Sequence, residues 1–171
     1  LYNFNIFSNI RSKILGGMGM INIRRAKVED ANILTNIAIN SEAYWGYDED
    51  YMESFKNTYR VSENYISNYP TFLIEDDEEI VGFYGILMNE GETELEYFFI
   101  DSKNIGKGYG KLLWSHVIET AKNLDIKEFE IVTSPEAIGF YTKLGAIKIG
   151  EVESLVKVGR KIPRLIYCIN E

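Results

Sequence analysis

Residues 104–111 read Asn-Ile-Gly-Lys-Gly-Tyr-Gly-Lys, with glycines alternating at 106, 108 and 110. The chemistry this composition suits is anion binding. Glycine turns the backbone tightly and lets a ligand approach the main chain with no Cβ in the way. Where such a turn opens a helix, free N–H groups form a cradle for phosphates, helped by the helix dipole. Spacing decides among the phosphate ligands. A GxGxxG fingerprint begun at Gly106 needs glycine at 111, where the chain has Lys111. A Walker loop ending at Gly110-Lys111 needs glycine at 105 and Ser or Thr at 112, and these positions hold Ile105 and Leu112. Both common nucleotide readings fail; a plain glycine-rich turn remains as the bland alternative.

Other side chains with chemistry to offer are few. Glu94 and Glu96 lie two apart in a strand-like run, hence on one face. Burial would raise such carboxylates towards the range of a general base, whereas a solvated polar face would leave them inert. Trp45 and Tyr47 flank Gly46 beside Glu42, Asp48 and Glu49, an arrangement for holding a cationic amine or for packing a lid. Cys168 reads as an inert buried thiol in a terminal strand, and the single histidine, His116, as a surface or core-edge residue of a helix. No set of residues suggests a metal.

The elements that must position these groups follow from periodicity. Ile21 to Arg25 alternates as a half-buried strand. A helix opens at Val28-Glu29-Asp30 with Ile33, Leu34, Ile37 and Ala38 as its apolar face, and a second is expected near Glu49 to Tyr59. Thr71 to Glu75, a turn at Asp76-Asp77-Glu78, and Glu79 to Met88 form a hairpin, followed by a strand from Glu92 to Ile100. The helix after the glycines carries Leu113, Val117, Ala121 and Leu124, and Glu128 to Val132 is a strand. Ser134-Pro135-Glu136 spells a helix start and Gly145 its stop. Ile147 to Val152 and Arg164 to Ile169 are the last strands. The order is β-α-α-β-β-β-α-β-α-β-β, an α/β layer structure with a mixed sheet.

At 171 residues, 46% hydrophobic and 13% aromatic, the chain is expected to form one domain with a sizeable core. Its net charge of −8 argues against nucleic acid and anionic membranes and favours a cationic substrate. One cysteine excludes an internal disulfide framework and fits a reducing cytoplasm. The chain opens at Leu1, and Met18 and Met20 precede the first strand of the domain. Residues 1–19 therefore read as an N-terminal extension, appended or misannotated, before a domain spanning 20–171. An amphipathic arm carrying Phe7, Ile10 and Ile14 is the alternative.

The order of elements and the Gly106–Gly110 turn resemble the GNAT acetyltransferases, whose pyrophosphate loop runs Arg/Gln-x-x-Gly-x-Gly/Ala. Gly108 and Gly110 match, Gly106 fits the fuller Arg-Gly-x-Gly-x-Gly form, and Ile105 departs from it. Ser134-Pro-Glu-Ala-Ile-Gly-Phe-Tyr-Thr-Lys-Leu-Gly145 is similar to that family's Asn-x-x-Ala-x-x-Phe-Tyr-x-x-x-Gly helix, with Ser134 in place of Asn. Ser41-Glu-Ala-Tyr-Trp-Gly-Tyr47 resembles a Ser-Lys-Ala-His-Trp-Gly-Tyr signature of one branch, from which Glu42 and Tyr44 depart. The resemblance covers about residues 20–170. It implies a twisted, mostly antiparallel mixed sheet of about seven strands flanked by helices, with acetyl-CoA as co-substrate. The implied reaction is direct attack by the primary amine of a small, cationic acceptor. Residues Ile105, Gly106, Lys107, Gly108, Tyr109, Gly110 and Lys111 would hold the pyrophosphate on their amides. Phe98, Phe99 and Ile100 would pair with the pantetheine arm, joined by Ser134 unless that serine only caps its helix. Tyr141 would contact the sulfur and protonate the thiolate, with Glu96 or Glu94, or water, as base. Trp45 and Tyr47 would contact the acceptor. The competing expectation is a catalytically silent module that binds coenzyme A. Expected partners are the small-molecule amine and no nucleic acid or membrane; a homodimer stays open.

Overall fold

The computed structural model of the chain describes residues 10–13 and 20–170. Its strands are β1 (Ile10–Lys13), β2 (Met20–Arg25), β3 (Thr71–Asp76), β4 (Glu79–Asn89), β5 (Glu92–Ile100), β6 (Glu128–Val132), β7 (Ile147–Glu153) and β8 (Lys161–Cys168). They form one sheet in the order β1-β2-β3-β4-β5-β6-β8-β7. Every pairing is antiparallel except β5 with β6. The mixed, mostly antiparallel sheet is thus the expected one. From Met20 onward it has seven strands, and Ile10–Lys13 adds an edge strand on β2 inside the segment read as an extension. Phe7 and Ile14 of the alternative arm lie outside the described residues.

Helices cover both faces. α1 (Ala31–Ala43), α2 (Glu49–Thr58) and α3 (Glu63–Asn68) lie on one side, where Leu34, Ile37, Phe55 and Tyr65 pack on Leu73, Phe83 and Tyr97. On the other side lie α4 (Tyr109–Asn123) and α5 (Ile138–Lys143), with Leu113, Trp114, Val117 and Tyr141 on Phe72, Tyr84, Leu95 and Ile131. Strand β3 feeds both cores from alternate residues, which is why Phe72, Leu73 and Ile74 are apolar in succession. Ile33, expected on the buried stripe of α1, is exposed; Leu34, Ile37 and Ala38 suffice to seat the helix. α3 has no counterpart in the sequence reading.

Two irregularities shape the site. Consecutive residues Gly85 and Ile86 of β4 face Tyr97 and Leu95 of β5, so Glu96 is the extra residue of a β-bulge. The bulge shifts the side-chain phase: Leu95 packs with the α4 layer, Tyr97 with the α1–α3 layer. Gly85 is required beside it, since a Cβ there would stand 2.8 Å from the Tyr65 ring. The second irregularity is that β5 and β6 share a single bridge, Glu94 to Glu130. Beyond it the strands part.

Candidate active site

The parting of β5 and β6 opens a cavity of about 510 Å³, within the usual range for small-ligand sites. Phe98, Phe99 and Ile100 of β5 form one wall, and Val132, Thr133 and Ser134 after β6 form the other. Because β5 pairs with β4 on one edge only here, its other edge offers backbone groups to an extended ligand.

One end of the cavity is the glycine turn. Ile105, Gly106, Gly108, Gly110 and Lys111 line it. Gly108 sits at φ +95° as the N-cap of α4, a left-handed conformation that glycine adopts at no steric cost, and α4 has no side-chain cap. A helix leaves its first amides without intrahelical partners. Among the described residues no hydrogen bond occupies the amides of Gly106, Gly108, Tyr109 and Gly110, while those of Ile105 and Lys107 close local turns at 3.4 Å and that of Lys111 one at 3.1 Å. Four amides of the stretch 105–111 are therefore free. Side chains of Lys107 and Tyr109 do not line the cavity. Lys107 Nζ donates to Asn104 Oδ1 at 2.9 Å, and the buried Tyr109 donates to Asp76, bracing the loop on β3.

Tyr141 lines the cavity and is buried among Phe98, Trp114 and Phe140. Burial pushes its phenol well above the ordinary value, against a smaller opposing pull from Thr133, so it keeps its proton at neutral pH. Ser134 lines the cavity but does not cap α5, correcting the helix start read at Ser134-Pro135. Residues 134–137 form a turn closed by the Ala137 amide on the Ser134 carbonyl, and α5 begins at Ile138.

Carboxylates gather at the other end. Glu96 lines the cavity, and burial raises its pKa against a smaller opposing pull from Tyr65. Its Oε2 is buried without a well-formed hydrogen bond. Glu94 is also raised, by burial first and then by the charges of Glu96 and Glu130, but it is not in the cavity wall. The bulge separates the two carboxylates: Glu96 is turned into the cavity and Glu94 stays at the sheet bridge. Trp45 lines the cavity and Tyr47 does not. Arg160 lies over the Tyr47 ring at 4.8 Å and donates to its hydroxyl at 2.8 Å, while that hydroxyl donates to Glu136 at 2.6 Å. The face expected for a substrate cation is taken by this chain's own arginine. Asp48 likewise caps α2 through the Tyr51 amide.

Several wall residues escaped the sequence reading. Tyr51 and Phe55 come from α2 and Tyr59 from its C-cap, where their i, i+4, i+8 spacing was the available signal. Val156 comes from the β7–β8 connection and Ile162 from the start of β8, and neither carried a signal. Cys168, expected buried, is exposed on β8 and outside the cavity. His116, expected at a surface or core edge, is buried: Nδ1 bonds the Tyr84 hydroxyl at 2.8 Å and desolvation lowers its pKa to about 4. Tyr84 reaches across from the sheet to claim it. Among the described residues no group of His, Cys, Asp or Glu could hold a metal ion, and no helix is long and apolar enough to cross a membrane.

The sequence profile of the Acetyltransferase (GNAT) family matches residues 37–146, so the chain belongs to the GNAT acetyltransferase family. Its co-substrate is accordingly acetyl-CoA, the acetyl donor of that family. In sequence alone no curated protein matches the chain. Among solved structures it is similar to a PaiA N-acetyltransferase from Thermoplasma acidophilum in complex with coenzyme A, with TM-score 0.74 and 19% identity over 86% of this chain and 98% of that one. It is also similar to the ribosomal-protein-S18-alanine N-acetyltransferase from Escherichia coli, with TM-score 0.68 and 15% identity over 89% and 96%. An N-acetyltransferase from Staphylococcus aureus Mu50 superposes with TM-score 0.69 and 18% identity over 88% and 99%. At these identities the likeness establishes the fold.

Proposed function

We propose that the chain is an N-acetyltransferase that moves an acetyl group from acetyl-CoA to the primary amine of a small cationic acceptor, in the cytoplasm. One observation carries the reading. A single cavity joins an uncapped helix start, an open strand edge, a buried phenol and a half-buried carboxylate. The residues fit the co-substrate: amides of Gly108, Tyr109 and Gly110 suit the pyrophosphate, and the β5 edge at Phe98–Ile100 suits the pantetheine arm.

When bound, acetyl-CoA supplies the thioester, whose carbonyl carbon bonds the amine nitrogen as the C–S bond breaks to a thiolate. Glu96 takes the proton of the incoming amine at Oε2, directly or through water, its basicity raised by burial. Glu94, whose own pKa is raised by burial and then by the charge of Glu96, stays outside the cavity wall and does not contact the acceptor. Tyr141 holds a proton at Oη for the leaving sulfur. Trp45 closes the acceptor end. Cys168 lies outside the cavity, which favours direct attack over an acyl-enzyme.

The wall's charge supports a cationic acceptor, since Glu42 and Glu96 line the cavity in addition to the Arg160-paired Glu136, with Lys111 at the far, phosphate end. Acetyl-CoA consumption over a panel of amines tests the reading. Turnover with cationic amines supports it; tight coenzyme A binding without turnover of any amine would make the chain a silent binding module.

A further inference from the structure

The three cavity carboxylates are not equivalent. Glu136 is answered within the chain, by the Tyr47 hydroxyl at 2.6 Å and by Arg160 at 3.6 Å. Glu96 is the base of the proposed reaction. Glu42 has no part in it, although it lines the same cavity at only 7% exposure. Its Oε1 accepts a bond from the Tyr51 hydroxyl at 2.7 Å, and among the described residues it forms no ion pair. A buried carboxylate with one neutral donor is incompletely compensated, and burial holds its pKa up against the Tyr51 bond and the nearby Arg160.

Its surroundings are suited to a cation. Trp45, Phe55 and Tyr59 supply aromatic faces in the same wall, while the Tyr51 ring, like that of Tyr47, is already met by Arg160, at 5.1 Å. Tyr59 lines the same wall as both carboxylates, and its phenol is pushed up to about 12 by burial first and then by the charges of Glu94, Glu42 and Glu96.

We infer that Glu42 binds a second cationic group of the acceptor, so that the substrate class is a diamine: one amine attacked beside Glu96, the other held as an ammonium by Glu42 against the aromatic wall. This rests on the acetyltransferase reading above. The two amines are treated differently by the site. The reacting nitrogen must surrender its proton, whereas the distal one keeps it and restores neutrality to Glu42. A monoamine of equal length leaves Glu42 uncompensated. A charge-assisted hydrogen bond corresponds to about 10- to 100-fold in affinity.

The test measures kcat/KM at saturating acetyl-CoA for 1,4-diaminobutane against butylamine and for 1,5-diaminopentane against pentylamine. The expected wild-type preference for the diamine is at least about tenfold in one pair, expressed in KM. Glu42→Gln, whose amide oxygen still accepts the Tyr51 bond, should bring that ratio towards one. If Glu42 only tied α1 to α2, the same variant would keep the wild-type ratio, and the inference would be overturned. A wild-type ratio near one also overturns it, and this arm needs no variant to fold. Monoamine turnover with no diamine preference leaves the acetyltransferase reading intact; absence of turnover with every amine removes both.

Discussion

Replacing Tyr141 by Phe isolates one hydroxyl in a packed site. The ring stays wedged against Phe98, Trp114 and Phe140, at centroid distances of 6.0, 5.9 and 5.2 Å. What disappears is the Oη–H alone. Loss of one hydroxyl hydrogen bond would cost at most about 1 kcal/mol, which lowers Tm by no more than about 2–4 °C in a domain of this size. The catalytic effect should be far larger. Burial keeps this phenol protonated through the neutral range, so it is available as a donor wherever the enzyme works. General acids contribute ~10²–10⁴-fold, and turnover should fall at least about tenfold even where water substitutes. Coenzyme A affinity should hardly change, because the α4 amides and the β5 edge are untouched. The assay pairs stopped-time acetyl transfer with calorimetric binding on one preparation. Unchanged turnover refutes the assignment, and lost folding together with lost affinity would make Tyr141 a core residue alone.

Three further outcomes are expected. Glu96→Gln should abolish the rise of kcat/KM with pH; a raised folded pKa means this carboxyl favours folding below its unfolded pKa and costs stability above its folded one, so the variant should melt higher than wild type at pH 7 and lose that advantage near pH 4. A variant less stable at pH 7 would contradict the burial argument. Deletion of residues 1–19 removes β1 from the sheet edge, far in sequence from cavity residues 41–162, so turnover should persist with a lower Tm; lost turnover would make the segment integral to the site. Alkylation of the exposed Cys168 in the folded protein should leave turnover intact, and inactivation would reopen an acyl-enzyme route.

The strands and the two long central elements were legible because local rules and tertiary packing agree there. The hairpin Thr71–Met88 and the helix stripe Leu113, Val117, Ala121 are examples, with buried residues falling at the expected spacings. The glycine turn was legible for a similar reason: positive φ at Gly106 and Gly108 is a local demand. What stayed hidden depends on partners distant in sequence. The bulge that turns Glu96 inward is set by its register with Gly85 and Ile86. Burial of His116 is decided by Tyr84, and the loss of Tyr47 as a free aromatic face by Arg160, 113 residues away. Short α3 has only Tyr65 and Ile66 buried, too few to make a periodic signal. At Ser134 the cap signature competed with a turn, and the turn won because the residue borders the parted strands.

Calorimetric titration of coenzyme A into wild type and Gly108→Glu tests the central claim most directly. The substitution sets a β-carbon at φ +95° and a carboxylate against amides meant for phosphate. Saturable one-to-one binding to the wild type and none to a folded Gly108→Glu variant is the predicted result. Equal affinity in the two proteins would contradict the assignment of the α4 cradle, and with it the placement of acetyl-CoA between β5 and β6.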